Sequence, residues 1–248
     1  VKIGSIKILT DGSLGACTAA LTQPYSDEPK TKGMTLYSQE ELNRLVEKAH
    51  EANLQLAIHA IGDKAVDMTL VAIEKALAKS PRKNLRHRIE HASVLNERLV
   101  DRMKKLNLIA SVQPHFIISD FWVIDRLGPK RARWTYAFKT LIQKGILTTG
   151  SSDCPVEPIS PLLGIHAAVT RKQNQKEKIT VNEALRMYTI NAAFASCEED
   201  IKGSIEVGKL ADFTVLSDDP ETVASEKIKS IKVEMTLVDG KIVYANVA

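Results

Sequence analysis

Five apolar runs each carry or end in a side chain able to bind a metal ion or a proton. They are Lys7 in IGSIKILTDG, His59 in LQLAIHAIGD, His91 in HRIEHA, Gln113 and His115 in LIASVQPH, and Asp153 in ILTTGSSDCP. Neutral imidazoles and a carboxylate suit zinc and similar divalent ions, and a catalytic centre keeps one position open for water. A bound divalent ion lowers the pKa of that water from about 15.7 towards 7, and a carboxylate touching both can carry the proton to a leaving amine. One strand-end histidine is more often hydrogen-bonded structure than ligand. His59, His91 and Asp153, each after its own apolar run, reverse that balance. Lys7 inside an apolar strand is costly to bury unless paired or modified, and the bland readings are that it snorkels to water or pairs with Asp11.

Softer candidates surround these. Asp11, Gln113, His115 and Arg171 are placed to line a mouth and orient a substrate carboxylate or carbonyl. Arg88 shares strand parity with Glu90 rather than His91, which points to packing or an ion pair. Trp122 and Trp134 flank a charged loop, where a substrate wall and ordinary packing are both reasonable. Gly12 and Gly15 make no phosphate loop, because no GxxxxGK[ST] surrounds them.

Elements that would position these residues follow from periodicity. Strands are expected over 3–9, LQLAIH, LRHRIEHA, LIASVQP and ILTTGSSD. A long Gly/Ser/Thr/Pro-rich segment from Asp11 to about Gly33 reads as a lid or substrate loop. Ser38 with Glu41, and Thr180 with Glu183, are capping boxes opening helices. The first helix stops near Asn53, and the second continues through Tyr188 to Ala192. Asp63 is expected to cap a helix with Val66, Leu70, Ile73 and Leu77 as its stripe, and Asn96 opens another through Leu106. The stretch Ser119–Trp134 reads as a long active-side loop with short helical turns, and Tyr136–Lys144 as a helix ended by Gly145. Strand, loop and covering helix repeat as the unit of a (β/α) barrel, where chemistry collects at the carboxyl ends of the strands. After about Lys202 the chain turns β-rich, with Asp239-Gly240 a tight-hairpin signal. The expected division is a barrel part over 1–201 and a small β segment over 202–248. Only five barrel units are visible where the fold needs eight, so the chain reads as the second half of a larger enzyme.

Composition narrows the classes. The 34 basic and 30 acidic residues leave a surplus of four, too mild for a nucleic-acid footprint. No apolar stretch approaches the roughly 20 residues needed to span a bilayer. Three cysteines, Cys17, Cys154 and Cys197, with no CxxC, suit a reducing compartment and a cytoplasmic location. Cys154 is expected to be a plain buried or half-buried thiol.

IKILTDGSLGACTAAL, LAIHAIGD, HRIEHAS, SVQP, GSSDCPVEP, TVNEALRMYTINAA and GSIEVGKLADFTVL occur in this order over almost the whole chain. Together they resemble the amidohydrolase superfamily, in the branch called amidohydrolase family 3, with its N-substituted formamide deformylase-like and exoenzyme-regulatory-protein-like hydrolases. The resemblance implies an α/β fold, a (β/α)8 TIM barrel with one or two divalent metals and a small β-sandwich. This chain would supply strands 4–8 and the C-terminal part of that sandwich. It implies that Lys7 matches the fourth-strand lysine, often carboxylated by CO2 to an anionic bridging ligand. It also implies that His59 and His91 match the fifth- and sixth-strand ligands, and Asp153 the eighth-strand ligand and general acid/base. The family's first-strand His-x-His has no counterpart, because His50, His87 and His166 form no such pair.

The expected function is metal-dependent hydrolysis of a carbon–nitrogen bond other than a peptide bond, in an amide, formamide or cyclic amide. Two alternatives stand beside it: another reaction of the same barrel, and a non-catalytic regulator or pseudoenzyme, which the missing His-x-His favours. The expected ion is zinc. Unpaired strand edges recruit partners, so homo-oligomerisation or association with a missing N-terminal segment is expected, with no membrane or nucleic-acid partner.

Overall fold

The computed structural model describes residues 4–246, so Ile3, at the start of the first expected strand, and Val247, in the β-rich C-terminal stretch, lie outside the described residues. The chain divides into two compact units, 1–112 with 119–148, and 113–118 with 149–248.

In the first unit, strands β1 (Ile6–Leu9), β2 (Leu56–Ala60), β3 (Arg88–His91) and β4 (Ile109–Val112) pair in parallel in that order. The backbone N–H of Ala110 donates to the carbonyl of Leu147 at 2.9 Å, and β5 (Thr148–Gly150) completes a five-stranded sheet. All five are shorter than the apolar runs that announce them. Parallel strands need long crossovers, which the intervening helices supply. Helix α1 (Gln39–Glu51) starts at Ser38 in a full capping box with Glu41, and α2 (Asp63–Lys79) packs beside it. Val66, Leu70 and Ile73 of α2 are fully buried. Helix α3 (Glu97–Lys105) starts at Asn96, whose side chain accepts the Leu99 N–H at 3.0 Å.

Asp63 departs from expectation. It is the first residue of α2 rather than its cap, and its carboxylate accepts the Thr22 N–H at 2.9 Å and the Thr22 hydroxyl. Non-local pairing has taken a side chain that local sequence assigns to the helix end.

The 11–33 segment is packed rather than open. Leu14, Ala19, Leu21 and Tyr25 form a buried cluster with Ile61, Val94, Val123 and Leu127, and Cys17 and Trp122 pack against it. Trp122 also lies under the Arg126 guanidinium, 5.5 Å from ring centroid to Cζ. The Tyr25 hydroxyl donates to Ala19 O at 2.9 Å, and burial pushes its pKa up. The short helix α4 (Phe116–Ser119) precedes α5 (Val123–Ala132), which Gly128 and Pro129 divide. The short helical turns expected in this segment are therefore present and more extensive than expected. Helix α6 (Phe138–Gln143) is followed by Gly145 at φ 69°.

The second unit holds α7 (Pro161–Thr170), then α8 (Val181–Tyr188), opened by the Thr180–Glu183 capping box. Thr189, at φ −122° and ψ −103°, separates α8 from α9 (Ile190–Ala195), so the single helix expected there is two. Strands β6 (Phe213–Leu216), β7 (Val233–Val238) and β8 (Lys241–Ala245) form an antiparallel sheet. Asp239 and Gly240 both have positive φ, 50° and 74°, as a two-residue hairpin turn requires. No helix among the described residues is long and apolar enough to cross a membrane.

Candidate metal and proton-transfer site

Register places the candidates before any side chain is considered. Leu9, His59 and Glu90 are consecutive cross-strand partners, and so are Lys7, Ala57 and Arg88. Successive residues of a strand point to opposite faces, so Lys7, His59 and Glu90 share one face of the sheet. His91 pairs with Ala60 and by the same alternation belongs to the other face.

The backbone overrides that alternation at the end of β3. His91 has φ 74° and Ala92 φ 46°, and the Ala92 N–H donates to Glu90 O at 3.1 Å. This is the rarer, strained γ-turn centred on His91. Strain of this kind costs on the order of 1–3 kcal/mol and persists where surrounding structure enforces it. The turn brings the His91 ring to 4.5 Å from the His59 ring, centroid to centroid, with planes 72° apart. His91 is buried, and His59 retains 13% side-chain exposure.

His59 is oriented by its own surroundings. Its Nε2 lies 3.0 Å from Gly12 O and 3.3 Å from Asp11 Oδ1. A carbonyl oxygen accepts only, so Nε2 carries the proton and Nδ1 keeps its lone pair for a ligand. Ligating histidines are commonly fixed in this way, with the other ring nitrogen donating to a carbonyl or carboxylate.

Asp11 is not a mouth residue in this fold. It is 1% exposed, and its carboxylate accepts the N–H groups of Ala20 at 2.8 Å, Gly62 at 2.9 Å and Ile61 at 3.0 Å. Three backbone donors stabilise a buried charge that would otherwise be expensive. Asp11 thereby ties the 11–33 segment to the turn that follows His59. Arg88 forms an ion pair with Glu90 at 2.5 Å and donates to Ser5 Oγ and Gln55 Oε1, the structural role its parity predicts.

Lys7 is exposed on β1, the last strand at one side of the sheet. No group of three or more His, Cys, Asp or Glu side chains suited to an ion occurs among the described residues. The donor chemistry present is thus two imidazoles, one with a tautomer that frees Nδ1, while the Lys7 ammonium on the His59 face has no lone pair to offer. That set suits a borderline-soft divalent ion.

The other candidates belong to the second unit. Asp153 is exposed, three residues beyond β5, in a turn with φ 54° closed by the Val156 N–H to its carbonyl at 2.9 Å. Cys154 is exposed as well, because the strand has ended and alternation no longer buries it. Gln113 is 4% exposed and donates from Nε2 to Ser151 Oγ at 2.9 Å. Arg171 is buried at the end of α7, and its Nε donates to Gln173 O at 2.9 Å. His115 Nδ1 lies 2.5 Å from Oε2 of Glu157, a carboxylate only 8% exposed. Sequence reasoning passed over Glu157. Its signal was a lone carboxylate between Val156 and Pro158, a setting that calls for a partner.

His50 and His87 form a separate buried pair. The Leu56 N–H donates to His87 Nδ1 at 3.1 Å, so His87 Nε2 carries hydrogen and donates to His50 Nδ1 at 3.2 Å. His50 Nε2 then donates to Ser80 O at 2.7 Å. Burial, and secondarily His50, push the His87 pKa down to about 4.

Parallel strands alternating with helices define an α/β protein, and two imidazoles meet near the carboxyl ends of β2 and β3. A family model described as amidohydrolase family matches residues 1–244, and the chain belongs to that family. It is 44% identical over 255 residues to the Bacillus subtilis (strain 168) protein YtcJ, which carries an amidohydrolase name, covering 98% of this chain and 47% of YtcJ. It is 30% identical to the N-substituted formamide deformylase of Arthrobacter pascens, covering 97% of this chain and 45% of that protein. A solved structure from Pyrococcus horikoshii OT3, titled an uncharacterized metal-dependent hydrolase, superposes with a TM-score of 0.81 at 40% identity. That match covers 90% of this chain and 46% of the other. The chain spans about half the length of these relatives.

Proposed function

We propose that this chain supplies His59 and His91, with Lys7 and Asp153, to the divalent-ion centre of a hydrolase that cuts carbon–nitrogen bonds other than peptide bonds. The observation that carries the reading is the 4.5 Å approach of the two imidazoles, with Nε2 of His59 turned to Gly12 O and Asp11. When bound, a divalent ion, zinc by this donor set, supplies Lewis acidity and acidifies water. His59 would offer Nδ1, and His91 would complete the pair from its strained turn. Lys7, carboxylated by CO2, would add an anionic ligand from the same sheet face. The Asp153 carboxylate would take a proton from the attacking water and pass it to the departing nitrogen. The deformylase relative supports an amide or formamide as substrate, and the relatives named imidazolonepropionase support a cyclic amide.

The five parallel strands would be strands 4–8 of a (β/α)8 barrel, and β6–β8 part of a small sandwich, with 1–201 and 202–248 as the two divisions. The thiol usage supports a cytoplasmic setting. Exposed Leu9, Ile6 and Lys7 on β1 support pairing of that strand with further chain or a second copy.

A second reading, a non-catalytic regulator of the same fold, is favoured by the lack, among the described residues, of any group of three His, Cys, Asp or Glu side chains arranged to hold an ion. Metal analysis separates the two. About one equivalent of transition metal per chain, lost in His59→Asn and His91→Asn, with amide hydrolysis abolished by chelation, supports the enzyme. Metal below about a tenth of an equivalent, with no effect of chelator, rejects it.

A further inference from the structure

One polar contact that the proposed centre does not use joins His115 to the buried Glu157. From this geometry we infer that Glu157 is a positioning residue. It holds His115 as the Nδ1–H tautomer, so that Nε2 accepts a hydrogen bond from the N–H of an amide substrate. This deepens the hydrolase reading and rests on it for the substrate.

Glu157 follows the Asp153 turn and His115 follows Pro114, so both come from segments just past apolar strand runs. The two side chains meet at 2.5 Å, Nδ1 to Oε2. A carboxylate accepts and cannot donate, so the shared hydrogen is on Nδ1. Neutral imidazole then has only a lone pair at Nε2. With 9% side-chain exposure Glu157 is sheltered from water, which strengthens the contact, while His115 keeps 19% and remains accessible. A residue in direct contact with substrate through a lone acceptor discriminates by the presence of an N–H. Primary and secondary amides or formamides satisfy it. N,N-disubstituted amides leave Nε2 facing carbon. A protein whose His115 merely filled space would have no need of a buried carboxylate to set its tautomer.

The test uses the full chain in two arms. Nitrogen-15 spectra of the histidines at pH 8, with His115 assigned by its loss in His115→Gln, should show hydrogen on Nδ1. In Glu157→Gln the carboxamide can donate as well as accept, and the fixed tautomer should give way to a mixture. Glu157→Asp, which keeps the carboxylate, should retain more of it. An Nε2–H tautomer in the wild type, or populations unmoved by Glu157→Gln, overturns the inference. In the second arm, kcat/KM is compared for secondary amides and their N-methylated counterparts. The ratio should fall by at least about tenfold in Glu157→Gln and in His115→Phe, the equivalent of one hydrogen bond. A ratio that stays constant while both amide types are cleaved overturns the inference and leaves the hydrolase reading standing. Cleavage of neither type by the metal-loaded wild type overturns that reading and the substrate assignment together, and the spectra then decide the Glu157–His115 pairing alone.

Discussion

The His91 ring reaches His59 only because the backbone of His91 has left the strand. Alternation would send it to the opposite face of the sheet, and the γ-turn at φ 74° brings the rings to 4.5 Å. A strained, non-glycine turn at a side-chain meeting point is the kind of outlier that accompanies a functional site. His59→Asn or His91→Asn should therefore lower divalent-ion affinity and reduce amide hydrolysis at least about 100-fold, read by metal titration and kcat/KM. Retained stoichiometric metal in both variants would contradict the pair's role.

Asp11→Asn keeps the shape and removes the charge. The new amide N–H2 group must face at least one of the backbone N–H groups of Ala20, Ile61 and Gly62. Stability should fall by about 2–4 kcal/mol, measured by urea unfolding, because hydrogen bonds to charged groups are worth about 1.5–3 kcal/mol each. Ion affinity should fall about 10- to 100-fold through misorientation of His59.

Gly62→Ala tests the same corner from the backbone side. An added Cβ would lie 1.9 Å from the carbonyl oxygen of Ala20, which no side-chain rotation can relieve. The main chain must shift, breaking the Gly62 N–H contact with Asp11. A loss of about 2–4 kcal/mol is expected in thermal or denaturant unfolding, against about 1 kcal/mol or less for a surface glycine.

His87 predicts a pH dependence with a definite sign. Its folded pKa is depressed to about 4 from an ordinary value near 6.5, so the unfolded chain binds the extra proton first. The stabilisation is complete above about pH 6.5, declines as pH falls, and is fully lost below about pH 4. Its size is on the order of 3 kcal/mol. The adjoining cavity, about 350 Å3, is lined by Arg82, Lys83, Arg86 and Lys105 and by no carboxylate, so no counter-ion meets an incoming proton. Unfolding free energies of wild type and His87→Gln should converge between pH 6.5 and 4. Parallel curves across that interval would refute the assignment.

Removing a cap should act locally. Ser38→Ala deletes the acceptor for the Glu41 N–H and the hydroxyl's own donation to the Glu41 carboxylate, while the backbone N–H of residue 38 still donates to that carboxylate. A cost of about 0.5–2 kcal/mol with unchanged metal content is expected from calorimetry and metal analysis.

What the sequence alone determined is what short-range physics decides. The capping boxes at Ser38 and Thr180, the Asn96 cap and the Asp239-Gly240 turn each depend on residues a few positions apart. The choice of His59 and His91 as a pair was also legible, since each ends an apolar run. Tertiary structure decided the rest, because the partners are distant in sequence. Asp63 turned to Thr22, and Asp11 went to three amides instead of an open mouth. Glu157 found His115 across 42 residues, and His50 found His87 across 37. Hydrogen-bond donors and carboxylates are satisfied wherever the fold brings them together, and periodicity carries no information about which distant groups will meet.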